Sequence, residues 1–171
     1  MSQTLLQDFK TVKVVCVPIP KSKTKFGLSE KHAKKRLEKS SWEVWRGGSI
    51  GLQRRYDSYP NVKKKYEKLS QLLDKHHPEF HEYLMLLCAV HHGMPDFLCY
   101  RNGVFKFVEC KVGYESLSKR QKVCINKLLQ LGFAVEVHKI VEKQTKTRVA
   151  DLNVVTGMKT IKDVQKGLKG Y

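Results

Sequence analysis

The sequence predicts an α/β fold: a mixed central sheet flanked by helices, with a helical insert. Three observations predict it. Strand-like runs alternate with helix-period runs, an Asn-Gly hairpin signal lies at residues 102–103, and residues 52–92 carry helical spacing. No internal repeat is present.

TVKVVCV, 11–17, reads as a short strand stopped by Pro18 and Pro20, and KSKTKFG as a basic linker. LSEKHAKKRLEK then predicts a helix with Ser29 as N-cap. WEVWR, 42–46, alternates like a strand, and GGSIG, 47–51, is a turn. Val62, Tyr66, Leu69 and Leu73 fall at helical spacing, as do Phe80, Tyr83, Leu84, Leu87 and Cys88 across 79–90; Pro78 separates the two helices. DFLCY, 96–100, and VFKFVECKV, 104–112, flank the hairpin turn Arg101-Asn102-Gly103. A helix over 116–132 ends at Gly132, and FAVEVHKIV, 133–141, is a further strand. The chain thus divides into an N-terminal strand and basic linker (1–28), a core (29–142) with the insert at 52–92, and a basic C-terminal extension (143–171). The Lys-rich tail from 158 onward is expected to be flexible or to make weak nucleic-acid contacts.

Charge narrows the partners. Lys and Arg number 33 against 16 Asp and Glu among 171 residues, a formal charge of +17. Such a surface attracts polyanions, which favours nucleic acid over a membrane surface. No apolar run approaches the roughly 20 residues of a membrane span. MSQTLLQDFK has neither a basic n-region nor a sustained apolar stretch, so the expected location is cytoplasmic, nucleoid-associated or nuclear rather than secreted. The five cysteines, Cys16, Cys88, Cys99, Cys110 and Cys124, form no C-x-x-C pair and read as reduced thiols in apolar surroundings.

One constellation carries chemistry. Residues two apart on a strand share a face, so Glu109 and Lys111 project with Phe105 and Phe107. A carboxylate and an ammonium at the end of an apolar strand are costly to desolvate unless they pair or bind something. Asp96 begins the neighbouring hairpin strand. Two carboxylates brought together repel, and a divalent cation relieves the repulsion while supplying a Lewis acid. A nearby lysine can activate a bound water or stabilise developing phosphorane charge. Phosphodiester hydrolysis needs this set of parts; the competing account is a salt bridge at a sheet edge. On the helix before the first core strand, Glu30 shares a face with Ala33 and Leu37 and is an inward-facing acid, or else a first-turn Glu favoured by the helix dipole. Gln121 shares a face with Cys124, Ile125 and Leu128, and Ser118-x-x-Gln121 is also a capping box.

Pro95-Asp96, twelve intervening residues, and Glu109-Cys110-Lys111 together resemble the PD-(D/E)XK nuclease motif. GMPDFLCYRNGVFKFVECKVGYESLSKRQKVCINKLLQLGFAVEV, 93–137, resembles the VRR-NUC branch of that superfamily. SEKHAKKRLEKSSWEVWR, 29–46, is similar to the start of archaeal Holliday-junction resolvases, departing at Ser40-Ser41 where a Gly is usual. The resemblance implies a restriction-endonuclease-like core and a Mg²⁺ centre in which Mn²⁺ substitutes. Asp96, Glu109, the Cys110 carbonyl and Glu30 would serve as ligands, Lys111 would act on the attacking water, and Gln121 would support them. It further implies branched or otherwise structured DNA as substrate, in repair or recombination, with a homodimer as one assembly. The alternatives are a non-catalytic nucleic-acid-binding module and an RNA-processing nuclease on the same fold.

Lys34, Arg46, Lys63, Lys64, Lys119 and Arg120 are candidate phosphate contacts, as is Arg54-Arg55. Trp42 and Trp45 lie on opposite strand faces, so at least one packs in the core; they and Tyr56 are candidates for stacking on bases. His76, His77, His81, His91 and His92 with Cys88 match no familiar zinc spacing and read better as surface or substrate-facing groups. The insert is open to two roles, substrate wedge or dimerisation element.

Overall fold

The computed structural model describes residues 11–19, 27–50, 58–90, 93–142 and 146–165. Arg54, Arg55, Tyr56, His91 and His92 lie outside them. The elements are β1 (Thr11–Pro18), α1 (Leu28–Lys39), β2 (Glu43–Arg46), a 3₁₀ turn (Gly47–Ser49), α2 (Pro60–His76), α3 (Pro78–Val90), β3 (Phe97–Arg101), β4 (Val104–Val112), α4 (Lys119–Gln130), β5 (Ala134–Val141), β6 (Thr147–Asn153) and β7 (Lys159–Gln165). The seven strands form one mixed sheet in the order β2-β3-β4-β5-β1-β6-β7. β4, β5 and β1 run parallel at its centre, and the outer pairings are antiparallel. No helix of the described residues is long and apolar enough to cross a membrane.

Alternation along the strands divides the apolar side chains between two faces. Val12, Val14, Phe105, Phe107, Val135 and Val137 meet α2, α3 and α4 in one large cluster. Tyr66, Leu69, Leu73, Leu84 and Leu87 of α2 and α3 belong to that cluster, so the segment read as an insert covers the sheet itself. On the other face, Ala33 and Leu37 of α1 pack on Val44, Phe97, Cys99, Val108 and Cys110. Trp45 is buried in the main core, with its Nε1–H donating to the Lys65 carbonyl at 2.8 Å. Trp42 lies half-buried on the α1 side, with Arg101 and Lys106 over its ring.

Two expectations change. The cap of α1 is Gly27, in a left-handed conformation, and Ser29 lies inside the helix, which begins two residues earlier than its side chains suggest. Where the sequence suggests a flexible end from 158 onward, Lys159–Gln165 form β7, which pairs with β6 as β6 pairs with β1. At the point where Ser40-Ser41 departs from the resolvase pattern, Ser41 has φ 63°, a conformation that glycine adopts freely. The hairpin turn is as expected, with positive φ at Asn102 and Gly103 joining β3 to β4 in two residues.

Candidate active site

The site forms where β3 stops short of β4. Their pairing ends at Phe97 and Val108, leaving Glu109, Cys110 and Lys111 paired only on the β5 side. Asp96, the residue before β3, fills the vacated edge. Its Oδ2 accepts from the Cys110 N–H at 2.7 Å, a hydrogen bond that a third strand residue would otherwise make. In an extended strand the N–H and C=O of one residue leave on the same side, so the Cys110 carbonyl faces this edge too.

Asp96 is fixed by backbone packing. Its carbonyl accepts from the Gly47 N–H at 2.9 Å. A Cβ on Gly47 would stand 2.1 Å from the Pro95 oxygen, and one on Gly93 would stand 2.4 Å from the Arg120 oxygen, so only glycine permits both approaches. The Pro-Asp corner is thereby clamped between the end of β2 and the first turn of α4.

Glu109 is 2% exposed. Its Oε1 lies 3.0 Å from Lys111 Nζ and accepts from Gln121 Nε2. Gln121 Oε1 in turn accepts from Lys111 Nζ at 3.0 Å and from the Ser118 N–H at 2.9 Å, while the Gln121 N–H donates to Ser118 Oγ. One residue therefore closes the capping box of α4 and ties the acid to the lysine. Burial, then the negative charge of Asp96, pushes Glu109 up to about 7 against the pull of Lys111. Burial also raises Asp96, with Glu30 adding to it and the Cys110 N–H, Lys111 and Arg46 opposing. Burial is the main reason both acids hold their protons, and a cation at this edge would favour their ionised forms.

Glu30 reaches the same corner from α1 and is ion-paired with Arg46, whose guanidinium also lies over the Phe97 ring. Arg46, a sequence candidate for phosphate contact, is thus engaged by an acid of the site. Among the described residues no three His, Cys, Asp or Glu side chains gather closely enough to hold an ion. The donors suited to a hard divalent ion are the two carboxylates of Asp96 and Glu109 and the Cys110 carbonyl, which fit Mg²⁺ because that ion keeps several waters or substrate oxygens. The Cys110 thiol is pushed well above its ordinary value by burial and by Asp96, Glu109 and Glu30, which leaves it neutral and a poor ligand.

Sequence reasoning missed a basic groove on the same face. Lys111 is in register with Lys139 of β5. Lys139 joins Lys122 and Lys159 around a cavity of about 260 Å³ that Ser116 and Asn153 also line. Burial lowers the Lys139 pKa, and Lys159 and Lys111 contribute to it. β7, in the stretch from 158 onward that the sequence suggests is flexible or a weak nucleic-acid contact, supplies Lys159. Of the other candidates, Lys63, Lys64, Lys119 and Arg120 are exposed on α2 and at the start of α4, and Lys34 pairs with Glu38 at 3.8 Å. Of the candidate histidines, His76 contacts Tyr100, His77 packs against Phe105 and Phe133, and His81 pairs with Asp74 through Nδ1 while its Nε2 is buried without a partner. None of the five cysteines is in a disulfide.

No protein family, curated protein or solved structure matches the chain.

Proposed function

We propose that this protein is a metal-dependent endonuclease with a restriction-endonuclease-like PD-(D/E)XK core, hydrolysing phosphodiester bonds in branched or otherwise structured DNA. The observation that carries the proposal is the meeting of Asp96, Glu109 and Lys111 at one broken sheet edge, with Gln121 holding the last two. A Mg²⁺ or Mn²⁺ ion held by Asp96, Glu109 and the Cys110 carbonyl would supply Lewis-acid stabilisation of the phosphodiester oxygens. Lys111 is placed to orient the attacking water and to stabilise charge building on the phosphorus oxygens. Gln121 fixes the Lys111 rotamer and the Glu109 carboxylate together. Glu30 adds negative charge beside Asp96, which Arg46 partly offsets. The groove of Lys122, Lys139 and Lys159 leads away from Lys111 and suits the phosphates next to the scissile one.

The test is cleavage of linear, nicked, flap, splayed and four-way DNA, with structured RNA alongside, in Mg²⁺ or Mn²⁺. Wild type should cut at least one branched DNA. Lys111→Ala should bind the same DNA and lose at least a hundredfold in rate. Equal cleavage by both proteins removes the proposal, and metal-independent binding without any nicking replaces it with a non-catalytic nucleic-acid-binding module. Preferential cleavage of the RNA moves the substrate class.

A further inference from the structure

The opposite face of the sheet holds a second cluster that the centre above does not use. Lys13 of β1, Arg36 of α1, Trp42, Lys106 of β4, and Glu136 and His138 of β5 line a cavity of about 170 Å³. Strand alternation places them there: Lys106 lies on the face of β4 opposite Phe105 and Phe107, and Glu136 and His138 on the face of β5 opposite Val135 and Val137.

The internal bonds of the cluster are uneven. Glu136 Oε2 accepts from Lys106 Nζ at 3.0 Å and lies 2.8 Å from His138 Nε2. Burial alone would raise Glu136, but the His138 and Lys106 interactions outweigh it and bring it down to about 2. An ionised carboxylate only accepts, so His138 Nε2 carries the proton in that contact. His138 is 7% exposed, and its other nitrogen, Nδ1, is buried with no hydrogen-bond partner. Arg36 Nη1 is likewise buried without a partner. The two groups are neighbours, since the charge of Arg36 acts on His138. Both residues line the cavity, where Lys13, Arg36 and Lys106 set three cations against the single carboxylate of Glu136.

The chemistry of the wall selects the occupant. Three cations, Lys13, Arg36 and Lys106, face one carboxylate that Lys106 and His138 already engage, which excludes a metal ion. Several waters would fill the volume, at about 30 Å³ each, but would bring no charge to offset the cations. An anion with several oxygens satisfies Arg36 and the lysines together, and arginine is suited to phosphate through its planar fork. Hydrogen phosphate also carries an O–H to give to a neutral His138 Nδ1.

We propose that this cavity binds a phosphate group, either the free ion or the terminal phosphate of a nucleic-acid strand. The site stands apart from Asp96, Glu109 and Lys111, and it does not depend on whether the chain cuts DNA.

The experiment is isothermal titration calorimetry of the full chain with sodium phosphate, in EDTA so that no divalent ion contributes. Wild type should give saturable binding. Arg36→Met should weaken it at least tenfold, Arg36→Lys should recover part of the loss, and Lys31→Met, on the same helix but exposed, should leave it unchanged. Lys106→Met, which keeps an unbranched apolar stem beside Trp42, should also weaken binding and serves where Arg36→Met fails to fold by circular dichroism. Saturable heat absent from wild type, or equal heat from wild type and whichever of these two variants folds, overturns the proposal and leaves water as the occupant. Competition by 5′-phosphorylated but not 5′-hydroxyl oligonucleotide assigns the site to a strand end, and competition by neither assigns it to the free ion.

Discussion

Glu109 is the residue on which stability and the proposed chemistry pull in opposite directions. It holds its proton up to about 7 in the folded chain against an ordinary 4.5. Between those values the folded state binds more protons than the unfolded one, so this group's contribution to stability is complete below pH 4.5 and is lost as pH rises through about 7. Ionised Glu109 then opposes the fold by about 3 kcal/mol at pH 8. Glu109→Gln should therefore stabilise the metal-free protein by about that amount at pH 8, with the gain vanishing near pH 4.5. Urea denaturation at the two pH values measures it, and an equal effect at both would rule out a buried raised acid. The same substitution should abolish metal-dependent cleavage. Glu109, Lys111 and Gln121 were legible in the sequence because each lies at a fixed offset on a strand or in a helix's first turn, where periodicity sets direction, and Asp96 because it directly precedes the hairpin strand. The Glu30–Arg46 pair and the lysines at 139 and 159 were not, since each depends on which strands and helices become neighbours, and no local spacing encodes that.

Among the elements, the loop before β3 transmits the most from sequence to site. Gly93 touches the Arg120 carbonyl at the start of α4, and Gly47 touches the Pro95 carbonyl at the end of β2. Gly93→Ala forces the corner off α4. It should cost about 2 kcal/mol, the usual size of an overpacking effect, and should weaken cleavage by shifting Asp96 from the Cys110 N–H. Gly48→Ala is the control, because its Cβ would meet nothing within 4 Å; it should stay within about 0.5 kcal/mol of wild type. Chemical denaturation of the two variants, with cleavage rates beside it, separates the outcomes, and equal stability of Gly93→Ala and Gly48→Ala would show that the loop yields freely. The strands and helices from β3 to β5 were readable because their apolar residues repeat cleanly and Asn-Gly and the Ser-x-x-Gln box mark their ends. β6 and β7 were not. In TRVADLN only Val149 is buried, and KTIKDVQ forms the edge strand beside it, so neither shows a clean apolar alternation. A Lys-rich strand at a sheet edge reads locally like a solvated tail.

For the whole molecule, the excess of positive charge becomes specific only when the fold says where it gathers. A formal charge of +17 attracts any polyanion. The sheet sorts part of it to two faces: Lys111, Lys139, Lys159 and Lys122 beside the acidic edge, and Lys13, Arg36 and Lys106 behind it. Each phosphate neutralised on duplex DNA contributes about −0.9 to the slope of log K against log salt. Lys139→Ala with Lys159→Ala removes two candidate contacts from the groove. Their combined loss should reduce the slope by about 2 and weaken binding at every sequence alike, since phosphate contacts position without reading bases. Fluorescence anisotropy on a branched duplex in EDTA, across a salt series, measures this without cleavage. Replacing Lys63 and Lys64 on the exposed side of α2 instead gives the comparison. If that pair changes the slope as much as the groove pair does, the DNA path runs over the helical layer and the groove beside Lys111 is not its track.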